Sequence, residues 1–268
     1  MNKFYLLSVF VLLQFTQTSV LHAATQSDTA KEQRWSGQIV DQLIFGEDVW
    51  LEAREHRFLG IFTPSENLPP EGTVVLMHGT GAHPDWPQVI HPLRTGLSEN
   101  GWQTLSIQMP LPPEDASEDL NAQLIQEGAD RISAALDWLA EQGAGKVTLL
   151  SHSRGGADLL FYAADRQDDR LLSLVVIGTN GAYKGVPEQL GSLQSLSKIR
   201  LPVLDIYGSN DLQGVLDTAD ARKKAALAGG AGYQQTKLDG ADHFFEGQDA
   251  ELLTVVVDWL KTVQASSE

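Results

Sequence analysis

The chain has 268 residues, a formal net charge of −16, 42% hydrophobic and 20% charged residues, and no cysteine. That length and composition suit a globular chain of one large domain or two small ones, able to bury its own core without covalent staples. The missing cysteines exclude disulfides, thiolate-bound metal, a cysteine nucleophile and a lipid anchor on cysteine, and the negative surface disfavours nucleic acid.

The first residues read as a cleavable export leader. Lys3 supplies a positive start, residues 4–15 form a short apolar run, and small Ala23 and Ala24 follow. The run is too short to span a bilayer, so cleavage after Ala23 would leave a periplasmic or secreted protein, residues 24–268, with no stable membrane anchor. Residues 24–33 are polar and are expected to fray. Residues 35–63 alternate apolar and polar positions, broken at Ser36-Gly37 and at residues 45–48, which predicts antiparallel strands.

From Thr73 the texture changes, as short apolar runs alternate with helical stretches. Strands are expected at 73–77, 102–109, 146–151, 171–178, 202–208 and 233–238. Helices are expected at 86–100, 120–140, 155–164, 215–227 and 249–263. Asp115 with Glu118 could cap the second of these, and Gly143 could stop it. This alternation predicts a single α/β domain, a mostly parallel central sheet with helices on both faces. Ligands of such sheets bind beyond the carboxyl ends of the strands, which directs attention to the residues just after each one.

Three of those places hold the parts of a catalytic triad. The strand at 146–151 runs through Ser151-His152-Ser153-Arg154-Gly155 into a helix, the small-x-Ser-x-Gly pattern of a nucleophile elbow. The turn is so tight that the residues two before and two after the serine must be small; here Ser151 stands where glycine is commoner. A serine hydroxyl needs a base, and the base needs an acid to orient it. His243 is the sole histidine after Ser153 and lies in a loop between a strand and the last helix. Asp211 lies in the turn-rich loop after the strand at 202–208, with Asp239 and Asp242 as fallbacks; Asp205 should point into the packing. Donors for an oxyanion would be the backbone N–H of Arg154 and that of Thr80, with Gly81 able to serve instead. Gly79 and Gly81 would let the backbone approach a substrate, and Trp86 and Tyr183 would shape the pocket. His83 and His91, near the expected mouth, could line the pocket but read mainly as structural loop residues, and His152 as a residue that packs or hydrogen-bonds locally. No His, Asp or Glu cluster has metal-ligand spacing, and no glycine-rich nucleotide motif is present, so neither metal nor cofactor is expected.

His78-Gly79, the elbow at Ser153, Asp211 and His243, in that order, resemble the α/β-hydrolase superfamily over nearly all of the chain after residue 23. The stretches 83–87, 92–94 and 101–105 look like a narrower family of exported proteobacterial hydrolase-like proteins of unknown function. The resemblance implies about eight strands, the first antiparallel, and a cap after the fourth parallel strand. Here that cap, residues 179–200, is short, which implies an open or shallow site. The implied activity is hydrolysis of a small or polymeric carboxylic ester. A non-catalytic envelope binding or assembly factor, or an acyltransferase, would use the same fold.

Overall fold

The computed structural model describes residues 24–230 and 232–266; the expected leader lies outside them. Eight strands, β1 (Glu47–Ala53), β2 (His56–Thr63), β3 (Gly72–Met77), β4 (Trp102–Ile107), β5 (Val147–His152), β6 (Leu171–Ile177), β7 (Val203–Gly208) and β8 (Tyr233–Leu238), form one sheet. Its order is β1-β2-β4-β3-β5-β6-β7-β8. The β1–β2 and β2–β4 pairings are antiparallel, and every later one is parallel.

The parallel strands are apolar on both sides because helices cover both faces. Successive side chains point to opposite faces. Val75, Met77, Leu149, Leu174 and Val176 therefore join one core with α3 (Leu120–Glu141) and α4 (Gly155–Arg166). Val74, Leu76, Leu150, Val175 and Ile177 join the other core with α2 (Ile90–Glu99) and α7 (Asp249–Ala265).

The amino-terminal region departs from expectation. Residues 29–42 are neither frayed nor extended but form α1 (Thr29–Gln42), capped by the Asp28 carboxylate, which accepts from the Lys31 N–H at 2.9 Å. Its buried positions, Glu32, Ser36 and Ile39, recur at helical spacing. Two of the three are polar, so hydropathy hides the stripe. Glu32 is tolerated inside because its carboxylate accepts from the Leu111 N–H (3.1 Å) and meets His56 (3.0 Å) and Arg131 (3.1 Å). Residues 25–27 are also held: the Thr25 and Ser27 hydroxyls and the Gln26 N–H all donate to Glu127.

Two helix starts also move. α2 begins at Ile90, not Trp86, because Pro87 and a left-handed Val89 (φ 63°) intervene. α3 begins after Asp119 with no side-chain cap, so Asp115 and Glu118 do not form its capping pair. Gly143, at φ 80°, does follow its end.

Gly128 of α3 lets α4 come close: a Cβ there would lie 2.9 Å from the Asp158 carboxyl. Asp158 is buried, and its Oδ1 has no hydrogen-bond partner among the described residues. Burial pushes its carboxyl up to about 7, with the nearby Glu127 adding to the rise and the Arg154 and Arg131 guanidiniums opposing it. The unfolded chain ionises this group near pH 3.9. The folded state therefore holds the proton more tightly, and the stability this provides is lost as pH rises from about 4 through about 7. Asp158→Asn should raise the melting temperature relative to wild type more at pH 8 than at pH 5. A difference that does not change with pH would refute this.

Candidate active site

β5 ends at His152, and Ser153 occupies the turn before α4 with φ 56°, a left-handed conformation rarely adopted by residues other than glycine. The turn is held on every side. The Ser153 N–H donates to the Ile177 carbonyl (2.8 Å), and the Ser153 carbonyl accepts from the Gly156 N–H (3.0 Å) and the Tyr183 hydroxyl (3.1 Å). The steric demand anticipated at Gly155 is concrete: a Cβ there would sit 2.7 Å from the His78 carbonyl oxygen and 2.8 Å from that of Met77. At Gly79 a Cβ would sit 2.8 Å from that of Ser153. The Ser151 hydroxyl fits the buried strand end, donating to the Val175 carbonyl at 3.4 Å.

Two loops bring the other groups to this turn. Asp211 follows β7, and His243 lies between β8 and α7. His243 Nε2 is 3.0 Å from Ser153 Oγ, and its Nδ1 is 2.6 Å from Asp211 Oδ1. The same Asp211 oxygen accepts from the Leu212 N–H (2.7 Å), while Oδ2 accepts from the Gly208 N–H (3.3 Å). An acceptor on Nδ1 fixes the tautomer that leaves Nε2 free to take a proton from Ser153. The loop acids Asp239 and Asp242 are used otherwise: Asp239 is exposed beside Lys237, and Asp242 accepts from the Phe244 and Glu246 N–H groups. Asp205 is fully buried against Arg222, as its place inside a strand suggested.

Both oxyanion candidates are unengaged. Among the described residues neither the Thr80 nor the Arg154 backbone N–H has a hydrogen-bond acceptor. His78 governs the first of these. Its Nε2 accepts from the Met109 N–H (2.9 Å), so Nδ1 carries the proton and donates to the Gly79 carbonyl at 2.8 Å. Burial holds this imidazole neutral, down to about 3. The Gly79 carbonyl and the Thr80 N–H belong to one trans peptide and point in opposite directions. Tying the carbonyl down therefore turns the N–H the other way.

Several positioning residues carried no sequence signal for this role. His152 is buried, its ring 4.9 Å from that of His243, and its Nε2–H donates to the His243 carbonyl (2.9 Å). Burial, followed by the neighbouring His243, lowers it to about 4, so it stays neutral. At Gly178 (φ 59°) a Cβ would come within 3.1 Å of the His243 ring. A glycine closing a strand was the only available hint.

The pocket residues divide. Gly81 (φ 71°) and Thr80 are exposed on the loop after β3. The Tyr183 hydroxyl is spent on the backbone, accepting from the Asn180 N–H while donating to Ser153, so this side chain buttresses the elbow. Burial raises it to about 12. Arg154 lies over the Tyr183 ring and donates to Asn121 Oδ1 (2.9 Å) and to the Asn121 carbonyl (3.1 Å). Trp86 instead faces a separate cleft against α1. Residues 179–200 contribute only a 3-10 turn (Glu188–Leu190) and the short α5 (Ser192–Leu196), and Ser153 remains half-buried. No group of three or more potential metal ligands occurs among the described residues.

Solved structures share this architecture. Est1E from Butyrivibrio proteoclasticus is similar over 82% of this chain and 99% of its own, at 16% identity and a TM-score of 0.67. A dienelactone hydrolase from Anabaena variabilis is similar over 81% and 97%, at 22% identity and a TM-score of 0.65. The esterase Pf2001 of Pyrococcus furiosus is similar over 84% and 95%, at 14% identity and a TM-score of 0.67. At these identities the likeness establishes the α/β-hydrolase fold. Comparison with curated protein sequences gave no match. A family model described as "Protein of unknown function (DUF3530)" matches residues 6–119 and 111–262, nearly the whole chain. The protein belongs to that family and carries its chain on an α/β-hydrolase fold.

Proposed function

We propose that the protein is a serine hydrolase that cleaves carboxylic esters through an acyl-enzyme. The observation that carries this is a strained Ser153 whose Oγ lies 3.0 Å from His243 Nε2, with Asp211 2.6 Å from the other ring nitrogen. Ser153 Oγ attacks the ester carbonyl and its proton passes to His243 Nε2. The tetrahedral oxyanion takes the Thr80 and Arg154 backbone N–H groups, helped by the amino terminus of α4. The C–O bond then breaks, and the alcohol leaves with the proton held by His243. Water attacks the acyl-enzyme, gives a proton to the same nitrogen, and the acid departs as Ser153 regains its hydrogen. Exposed Leu212 and Phe244, the residues directly after the acid and the base, supply apolar surface beside the triad. The leader reading of residues 1–23 supports export to the periplasm or beyond.

Labelling of residues 24–268 with a fluorophosphonate tests the proposal. Wild type should be labelled, Ser153→Ala should not, and His243→Ala should be labelled much more slowly. A folded wild-type protein that resists the probe would rule out an activated serine and favour a binding role on the same fold.

A further inference from the structure

A second cleft lies between α1 and the loop that starts at Gly79. It has a volume of about 430 Å³ and is lined by Trp35, Gln38, Ile39, Gln42, His83, Asp85 and Trp86. That is the size of a small-ligand site. Its chemistry is unusual for an apolar pocket, since Ile39 is the one aliphatic side chain in the lining. Trp35, Gln38 and Gln42 stand at spacings of three and four on one face of α1. His83 sits between the two indoles, with ring centroids 5.7 Å from Trp35 and 5.2 Å from Trp86.

The polar groups form a defined pair. His83 Nδ1 accepts from the Asp85 N–H (3.2 Å), so the neutral ring carries its proton on Nε2. Burial lowers the His83 pKa, which keeps the ring neutral. All side-chain bonds to Asp85 use Oδ1, which accepts from His91 (2.8 Å) and from Arg94 (2.6 and 3.2 Å). Asp85 Oδ2 and His83 Nε2 have no hydrogen-bond partner among the described residues. Burial alone would raise Asp85, but His91 and Arg94 hold it down to about 2, so it stays an acceptor across the working pH range. The cleft thus offers one fixed donor, one fixed acceptor, two side-chain amides and two indoles.

We propose that this cleft binds the neutral saccharide part of an O-acylated glycan, the ester resting on the serine-hydrolase reading and the sugar on the cleft alone. Adjacent sugar hydroxyls each donate and accept, which matches the His83–Asp85 pair and the Gln38 and Gln42 amides. The C–H faces of a pyranose pack on indoles. An acyl chain would find almost no aliphatic wall here, and a phosphate would meet Asp85 in a chain of net charge −16. His83, Asp85 and Trp86 share a loop with Thr80, so the cleft and the proposed oxyanion donor are linked through one segment of the chain.

The test uses residues 24–268 carrying Ser153→Ala, titrated with maltotriose, xylotriose and chitotriose by calorimetry and tryptophan fluorescence. At least one trisaccharide should bind saturably with a Kd of about 1 mM or tighter. The surface pair Gln38→Ala/Gln42→Ala should weaken it about tenfold, as should Trp86→Ala, with unchanged circular dichroism. No binding of any trisaccharide by a protein whose wild type takes the fluorophosphonate would overturn the saccharide site and leave the hydrolase reading intact. Binding that both variants leave unchanged would also overturn it. Binding lost in the variants, by a protein that resists the fluorophosphonate, would support the saccharide site and fail the hydrolase reading alone.

Discussion

Ser153→Ala is expected to lower kcat on a p-nitrophenyl ester by about 10⁴- to 10⁶-fold, and Asp211→Asn by about 10⁴-fold at neutral pH. The two losses have different causes. Removing Ser153 Oγ removes the nucleophile, and the remaining rate comes from oriented donors and bound water. An amide at 211 can turn its NH₂ toward His243 Nδ1, where the carboxylate now accepts at 2.6 Å. The ring would then carry its proton on Nε2, facing Ser153 Oγ at 3.0 Å, and could not act as base. Because the residues act as a unit, Ser153→Ala/Asp211→Asn should be no slower than Ser153→Ala alone. Steady-state kinetics of the three variants decide the matter. An Asp211→Asn enzyme within about tenfold of wild type would show that Asp211 does not orient the base.

The largest expected loss of stability comes from Arg222→Met. Arg222 and Asp205 are both fully buried, joined by bonds of 2.7 and 3.3 Å. Tyr233 and Gln235 also donate to Asp205, and Arg222 donates to the Val215 carbonyl and the Thr218 hydroxyl. Removing the cation leaves a carboxylate inside the sheet with only neutral donors, at a cost of about 3–5 kcal/mol. For a domain of this size that corresponds to a fall of about 6–20 °C in melting temperature. Arg222→Met/Asp205→Leu should recover part of the loss, because no charge is then left behind. Thermal unfolding of the single and double variants measures both. A double variant less stable than the single one would mean that the network is worth more as polar structure than its charges cost.

These two networks differ in how far the chain announces them. The elbow is local: Ser151, Ser153 and Gly155 sit within five residues, and steric demand writes itself into their sizes. The parallel strands are equally legible, since burial on both faces turns each into an apolar run, and chain order singles out His243 and favours Asp211 over Asp239 and Asp242. By contrast, α1 is hidden because its buried face includes Ser36 and Glu32, and the partners that satisfy Glu32 come from β2, α3 and the segment at Leu111. Hydropathy registers only the polar atoms, while the bonds that satisfy them cross the fold.

The sequence by itself determined the α/β layout, the strained serine turn and the order of its partners, because each depends on periodicity or on contacts between near neighbours. Tertiary structure alone decided the rest. It brought His243 within hydrogen-bond distance of Ser153 across 90 residues and of Asp211 across 32. It turned Tyr183 from a pocket wall into a brace for the elbow, and placed Trp86 in a cleft with α1. It also joined His78 to Met109 and so aimed the Thr80 N–H. Hydrogen bonds are directional and short, and only the folded chain sets the distances on which they depend.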